Sequence, residues 1–399
     1  MADMIEADVV VVGGGPAGLT SAIALASTGV TTALVAAPAP ADSRTTMLLT
    51  GSVAALEALG VWARCRASAA PLRVMRIVDD TRRLIRAPEV AFSAAEIGHE
   101  AFGQNIENRH LVAALESRAG EIPGLTRVAV PAETVEIDAV GVTVRAGATT
   151  VRARLAIGAD GRNSRVRAAA GIETEGRSYP QTALTFNLAH SRPHDDASTE
   201  FHTESGPFTL VPLPGRRSSL VWVVEPPEAE RLQALDDAAL SVEIERHSHS
   251  ILGKIVVEPG RGAFPLSVAT AKHFGARRVA LIGEAAHVIP PIGAQGLNLG
   301  LRDAAMIAEL VADAHRSGED IGADALTQRY DQARRGDVAS RTVAIDLLNR
   351  SLLTDFLPAQ GARGLGLYLM DRIAPLRRAV MREGVAPAAA PRLMRGEAL

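Results

Sequence analysis

The sequence predicts an α/β protein: a Rossmann-like nucleotide-binding domain, an inserted and mainly β second domain, and a C-terminal helical segment. Three observations carry this. Residues 8–35 read as strand, glycine turn, helix and strand. From Tyr179 to Phe274 the texture changes to alternating or continuous apolar runs broken by proline and glycine turns, the pattern of short strands. Then RVALIGEAAHVIPPIGAQGLNLGLRD, from Arg278 to Asp303, returns to a buried strand, a glycine-proline loop and a helix. The division places residues 1–70, 98–178 and 275–340 in the nucleotide domain. Residues 71–97 and 179–274 form the second domain, and 341–399 the C-terminal helices and tail.

Composition sets the outer bounds. The 399 residues suffice for two domains, and 47% apolar with 22% charged residues is a globular balance. A net charge of −3 without a long Lys/Arg run gives no electrostatic case for nucleic acid. One cysteine, Cys65, excludes an internal disulfide and suits a reducing compartment. The apolar start is broken by glycine and proline and lacks a basic leader, so a cytoplasmic product is expected.

Taken in order, DVVVV is the first strand, GGGPAG the turn, LTSAIALASTG an amphipathic helix and TTALVAA the second strand. The turn fits G-x-G-x-x-G through Gly13, Gly15 and Gly18. The first glycine permits the tight turn, the second lets backbone approach a pyrophosphate, and the third lets helix and strand pack closely. The acid expected about twenty residues on, as a ribose acceptor, is missing. That window reads Leu34-Val35-Ala36-Ala37, and the next acid is Asp42. Ser43-Arg44-Thr45-Thr46 precedes a predicted helix, where an arginine can pair with phosphate or stand in a solvated loop. VWARCRASAA reads as helix with Cys65 packed inside it. Residues 71–97 are strand-like in LRVMRIVDD and RRLIRAP. FGQNIENRHLVAALESRA reads as helix with Asn108 a candidate cap, and strands follow through 127–157.

In LAIGADGRNSRVRAAAG, a strand leads into Asp160-Gly161 and a basic helix start. Asp160 suits ribityl hydroxyls or water near a pyrophosphate, with Arg165 and Arg167 supplying positive charge; a plain Asp-Gly turn is the alternative. In the second domain only EAERLQALDDAALSVEIERHSHSIL reads as helix. Residues 324–380 are helical, with Leu365, Leu369, Ile373, Leu376 and Val380 near one face and Pro375 interrupting it. The Ala/Pro-rich tail at 386–391 is expected to fray. In the loop after Ile282, Pro290, Pro291, Gly293 and Gly296 bare the backbone ahead of a helix start, whose free N–H groups suit an electron-rich group.

Three loops in this order, GGGPAG, GADG and GEAAHVIPPIGAQGLNLGLRD, resemble the FAD-dependent aromatic hydroxylases of the para-hydroxybenzoate hydroxylase fold. Within them the ubiquinone-biosynthesis hydroxylases are most similar, through SRTTMLLTGSVAALEALGVW, FGQNIENRHLVAAL, YPQTALTF, FTLVPLPGRRSSLVW and DLLNRSLLTDF. The resemblance implies that Gly13, Gly15, Ala17 and Gly18 hold the FAD diphosphate. It implies that Arg44 and either Gln104 or Arg109 reach the same cofactor, and that Asp160 marks the Asp-Gly turn. Pro291, Gly293, Gly296, Leu297 and Asn298 then lie against the isoalloxazine, where backbone N–H groups stabilise the reduced anion. The chain departs from the family pattern at Ala36, where an acid is usual, and at Glu284, where Asp is usual.

By the same resemblance the reaction is ring hydroxylation of a polyprenylated phenol or quinol precursor of ubiquinone, through a flavin C4a-hydroperoxide formed with O2. NAD(P)H or a protein electron donor is the reductant. The flavin does the chemistry, so no catalytic acid or base is assigned. The substrate is expected between flavin and inserted sheet, with Phe201, Phe208, Leu210 or Trp222 as candidate lining or plain core. His287 reads as loop-ordering, and the His247/His249 pair lacks further metal ligands. LGLYLMDRIAPLRRAVMR, with Arg372, Arg377, Arg378 and Arg382, suits a membrane surface or partner contact. The rival readings are a related flavoprotein hydroxylase or reductase acting on another apolar substrate, and a non-catalytic scaffold of a quinone-biosynthesis complex.

Overall fold

The computed structural model describes residues 3–38, 42–81, 86–291, 293–353, 357–385 and 390–399. Its first sheet is built on Asp3–Val12, buried from Val9 to Val12. This strand pairs parallel with Thr32–Val35 on one side and Thr149–Gly158 on the other. Leu125–Val128 and Val279–Leu281 extend the parallel core outward. Strands covered on both faces must be apolar throughout, which is why VVVV and TALV read as continuous runs.

The helix Pro16–Ala26 is not amphipathic as expected. Every residue from Gly18 to Ala26 is buried, because the helix is wedged between this sheet and the helices Asn108–Ala119 and Gln295–Arg316. Its alanines and Ser21 are small enough to allow close approach on all sides.

The second sheet runs in the order His287–Val288, Gly262–Ala271, Thr174–His190, Arg217–Val224, Pro207–Leu213, Ala197–His202, Val74–Asp79, Val90–Ser93. Val74–Asp79 joins it in parallel with Ala197–His202 and carries Val90–Ser93 at the edge, whereas Ala69–Leu72 pairs with Gly103–Glu107 in a separate three-stranded sheet. Helices Pro226–Ala234 and Asp237–His247 cover its outer face. They replace the single expected helix because Asp236 caps the second one, accepting from the Ala239 N–H. The buried carboxylate of Glu107, which ends a strand of a small third sheet, ties that sheet to the second by accepting from Asn187 and Arg217.

Several local expectations give way to strands or turns. Thr45–Leu49 is a strand between Arg44 and the Thr50–Ala58 helix, and Gly103–Glu107 is its antiparallel partner. Asn108 therefore begins a helix rather than capping one, and its side chain bonds Thr46 and Asp42. The VWARCRASAA segment forms two 3-10 turns, not a helix. Cys65 is packed between them, and burial pushes its thiol up to about 11. Val90–Ser93 pairs antiparallel with Val74–Asp79; of the strand-like RRLIRAP, residues 82–85 lie outside the described residues.

The C-terminal helices are Asp324–Leu353, Leu357–Arg372 and Ala374–Val385, and the break falls at Ile373, just before Pro375. Residues 386–389 of the tail lie outside the described residues. Beyond them the chain does not fray: Leu393 and Met394 are buried against the Thr50–Ala58 helix.

Candidate active site

The first turn needs its glycines for two different reasons. Gly13 has φ +117°, and a Cβ there would stand 2.2 Å from the Ala159 carbonyl oxygen. A Cβ on Gly18 would stand 2.0 Å from the Gly13 oxygen. These two let the turn close against the Asp160 loop. Gly15 instead has no atom within 4 Å of its Cβ position; it faces a cavity of about 760 Å³.

Gly15, Ala17, Gly18, Arg44, Glu284, Pro291, Gly293, Gly296 and Leu297 all line that one cavity, whereas Gly13, Gln104, Arg109, Asp160 and Asn298 do not. Strand alternation explains Gln104, since its neighbour Asn105 takes the wall position. Arg109 turns back to Glu107 at 2.8 Å. Asp160 lies behind the wall. Its Oδ2 accepts the Arg165 and Val166 N–H groups at 2.7 and 3.3 Å, while its buried Oδ1 has no partner among the described residues.

Arg165 and Arg167 are spent on backbone. Arg167 donates to the carbonyls of Ala285 and Arg162, tying the second loop to the third, and Arg165 donates to the Glu133 carbonyl. The arginine that does reach the cavity is Arg162, paired with Glu284 at 3.1 Å, and the sequence reading passed over it. Arg44 pairs with Asp42 at 2.8 Å and lies 5.0 Å over the Phe264 ring. Burial would push the Asp42 carboxyl up, but Arg44 and Asn108 outweigh it and hold it below the usual range. Ala36 stands beside the first turn: a Cβ on Gly14 would lie 2.8 Å from the Ala36 Cβ.

The third loop ends at Ala294, in left-handed backbone (φ 53°) ahead of the helix Gln295–Arg316. The first-turn N–H groups have no partners within the helix, and Gly296 and Leu297 of that turn line the cavity. Asn298 is a clamp rather than a lining residue. Its side-chain amide donates to the carbonyls of Met47 and Ala294, and its oxygen accepts from Leu49 N–H and the Ser52 hydroxyl, all within 2.9 Å.

A second anchor lies underneath. His287 Nε2 and Asp303 Oδ2 are 2.7 Å apart, and that oxygen also accepts the Gly283 N–H at 3.0 Å. Oδ1 accepts from Arg334 at 2.7 Å. Burial would push the Asp303 carboxyl up, but the His287 and Arg334 charges and bonds hold it down.

The opposite wall is the inner face of the second sheet. Thr185, Val221, Thr209 and Glu200 form one transverse row, and Asn187, Ser219, Val211 and Ser198 the next; all eight line the cavity. Phe201, Phe208, Leu210 and Trp222 point the other way, into the core beneath the covering helices. Side chains alternate along a strand, so of the two readings of these residues, lining or plain core, the core reading holds. His247 packs on Trp222, with ring centroids 4.6 Å apart, and His249 pairs with Asp80 at 3.0 Å.

These features fit FAD. Gly15, Gly293 and Gly296 each leave an open Cβ position, so backbone can approach a bound group. Arg44 and Arg162 bring positive charge, and the free N–H groups at the helix start suit negative charge on the flavin.

Comparison with known proteins agrees. Residues 6–345 match the FAD binding domain family. The ubiquinone hydroxylase UbiL of Rhodospirillum rubrum is 35% identical, over 98% of this chain and 93% of the relative. The 3-demethoxyubiquinol 3-hydroxylase of Escherichia coli is 31% identical, over 94% of this chain and 97% of its own length. In structure, the p-nitrophenol 4-monooxygenase PnpA of Pseudomonas putida superposes with a TM-score of 0.76 at 21% identity, covering 96% and 98% of the two chains. The chain belongs to the FAD-dependent aromatic monooxygenases of the para-hydroxybenzoate hydroxylase fold, in the family that includes the ubiquinone hydroxylases.

Proposed function

We propose that this enzyme hydroxylates the ring of a polyprenylated phenol or quinol precursor in ubiquinone biosynthesis, using O2 with NAD(P)H or a protein electron donor. One observation carries the reading. A single cavity joins the glycine turns and the Gln295 helix start to the inner face of the second sheet, so a ring held on that face meets whatever the loops hold. Bound FAD supplies the oxygen-activating chemistry, along the route the resemblance implies. The protein binds and orients. The Gly296–Leu297 backbone would face charge built on a bound flavin, and the apolar side chains of Val211, Val221 and Phe264 would exclude water. The names of the relatives support the substrate class.

The same proposal includes delivery from a membrane surface. No helix among the described residues is long and apolar enough to cross a membrane. The helices Leu357–Arg372 and Ala374–Val385, however, expose Leu365, Tyr368, Ile373, Leu376 and Val380 beside exposed Arg372, Arg378 and Arg382. Arg377 is spent on Glu96 at 2.6 Å. Apolar anchors interleaved with arginines suit an anionic lipid surface or a quinone-biosynthesis partner.

The deciding experiment is turnover of short-chain polyprenylphenols with FAD, isotope-labelled O2 and a reductant, with products identified by mass. Incorporation of one labelled oxygen into the ring supports the proposal. A colourless protein that takes up no FAD overturns it in favour of a scaffold, and products free of label overturn it in favour of a reductase or related flavoprotein.

A further inference from the structure

Among the described residues, one carboxylate lining the cavity is left unused by the arginine pairs. Asp42 and Glu284 also line it, but each faces an arginine. Glu200 is held differently. Its Oε1 accepts from His202 Nε2 at 2.8 Å and its Oε2 from the Thr209 hydroxyl at 3.2 Å. His202 is almost fully buried, while the Glu200 side chain keeps 20% of its surface open. An ionised carboxylate offers about four acceptor directions. The two bonds fill one on each oxygen, so each oxygen keeps a lone pair. Burial would push the carboxyl up, but the hydrogen bond and charge of His202, with the Thr209 hydroxyl, hold it below the usual range. It is therefore an anion, and an acceptor only, at neutral pH.

Its position matters as much as its charge. Glu200 pairs in register with Ile77, and Ser198 with Met75. Met75 and Ile77 pack in the same apolar cluster as Ala294, the residue that starts the flavin-side helix. Along its own row the neighbour past Thr209 is Val221. The carboxylate thus stands on the sheet wall between Ile77 and Thr209, the one ionised acceptor among the hydroxyl and amide groups of these two rows.

Resting on the proposed ring-hydroxylation, we infer that Glu200 is a specificity-determining residue: it accepts a hydrogen bond from a free ring hydroxyl of the substrate and discriminates against the corresponding methyl ether. A phenol O–H donates to the carboxylate. An ether oxygen has no hydrogen to give and meets an anion lone pair to lone pair, while the carboxylate loses water without a replacement partner. Sites built to bond a hydroxyl reject analogues that lack the donor. His202 and Thr209 fix the carboxylate so that it cannot turn away to other partners.

The test compares 2-prenylphenol with 2-prenylanisole on the FAD-loaded enzyme, reading dissociation constants from the perturbed flavin spectrum and products by mass. The phenol is expected to bind about 10- to 100-fold tighter than the ether, the difference a charge-assisted bond supplies. In Glu200→Gln the amide can donate as well as accept, so the ratio is expected to collapse to within about threefold. FAD affinity should stay unchanged, since Glu200 belongs to the sheet wall. Equal affinity for phenol and ether in the unsubstituted enzyme overturns the inference even if the variant fails to fold, and so does a ratio preserved in Glu200→Gln. If the phenol is hydroxylated but the ether is hydroxylated equally well, the proposed function stands and the role of Glu200 falls. If no phenol is hydroxylated, both fall.

Discussion

Replacing Asp303 with asparagine tests whether the third loop is held from below. The carboxylate is fully buried and accepts from His287, Arg334 and the Gly283 N–H. Asparagine keeps the shape but has one acceptor oxygen. If that oxygen faces Arg334, the amide NH2 confronts His287 Nε2 and the Gly283 N–H. His287 then loses the acceptor of its Nε2, and its Nδ1 has no partner among the described residues. The part-buried N–H of Gly283 loses its acceptor, which costs at most about 1–3 kcal/mol. Arg334 loses one of two carboxylates, since Asp337 also pairs with it, so the loss stays below the about 3–5 kcal/mol of a buried charge left without any partner. The expected total is about 2–4 kcal/mol, read as a lower urea midpoint with unchanged slope. FAD affinity should fall with it, because Gly283 opens the loop that carries Glu284 and His287. The pH dependence has a definite sign. Asp303 titrates below the usual carboxylate range when folded, so its contribution is complete above about pH 4 and is lost as pH falls through the depressed folded value. The gap between the two proteins should be flat at neutral pH and close in acid. Equal midpoints at pH 7, or a gap that widens in acid, would refute this account.

Other substitutions separate folding glycines from binding glycines. Gly18→Ala puts a Cβ 2.0 Å from a backbone oxygen and should abolish folding of the nucleotide domain, seen as loss of the native circular-dichroism spectrum. Gly296→Leu meets nothing within 4 Å of its Cβ; it should fold normally yet lose FAD binding or release peroxide without product, and coupled turnover at the original rate would contradict that. Ala36→Glu offers the missing ribose acceptor and should tighten FAD binding roughly tenfold by titration, the size of a hydrogen bond to a charged group. Asn298→Leu strands two carbonyls, a backbone N–H and a hydroxyl. It should cost more than about 3 kcal/mol in urea unfolding, and a smaller loss would mean water enters the gap.

How much of this was legible in the sequence follows from which signals are local. The strand-turn-helix unit at 8–35 and the loop after Ile282 were readable because their glycines act within a few residues. The burial of the Pro16–Ala26 helix was not, since only packing against helices from residues 108–119 and 295–316 hides its polar side. Short strands such as Thr45–Leu49 and Gly103–Glu107 were absorbed into neighbouring helices because each needs the other as partner, more than fifty residues away.

The substrate wall shows the same limit more sharply. In STEFH the sequence leaves Phe201 open as pocket lining or plain core, because alternation separates Phe201 from Glu200 without saying which of them faces a cavity. The alternation itself was visible; which side faced the cavity was not. Two helices cover the Phe201 side, and that coverage sends Ser198, Glu200 and His202 to the cavity side, where a polar row reads in sequence as solvent-exposed. Glu284 was likewise noticed for its length but not for its partner. Arg162 takes up its carboxylate across a loop-to-loop distance of more than a hundred residues, so at this loop the added methylene reaches an arginine rather than standing free. A half-exposed pair of this kind contributes little to stability, so Glu284→Asp should leave the urea midpoint nearly unchanged. If the pair sets how Arg162 meets the cofactor, the same variant should alter FAD affinity. A shift in both would mean the pair instead helps hold the loops together.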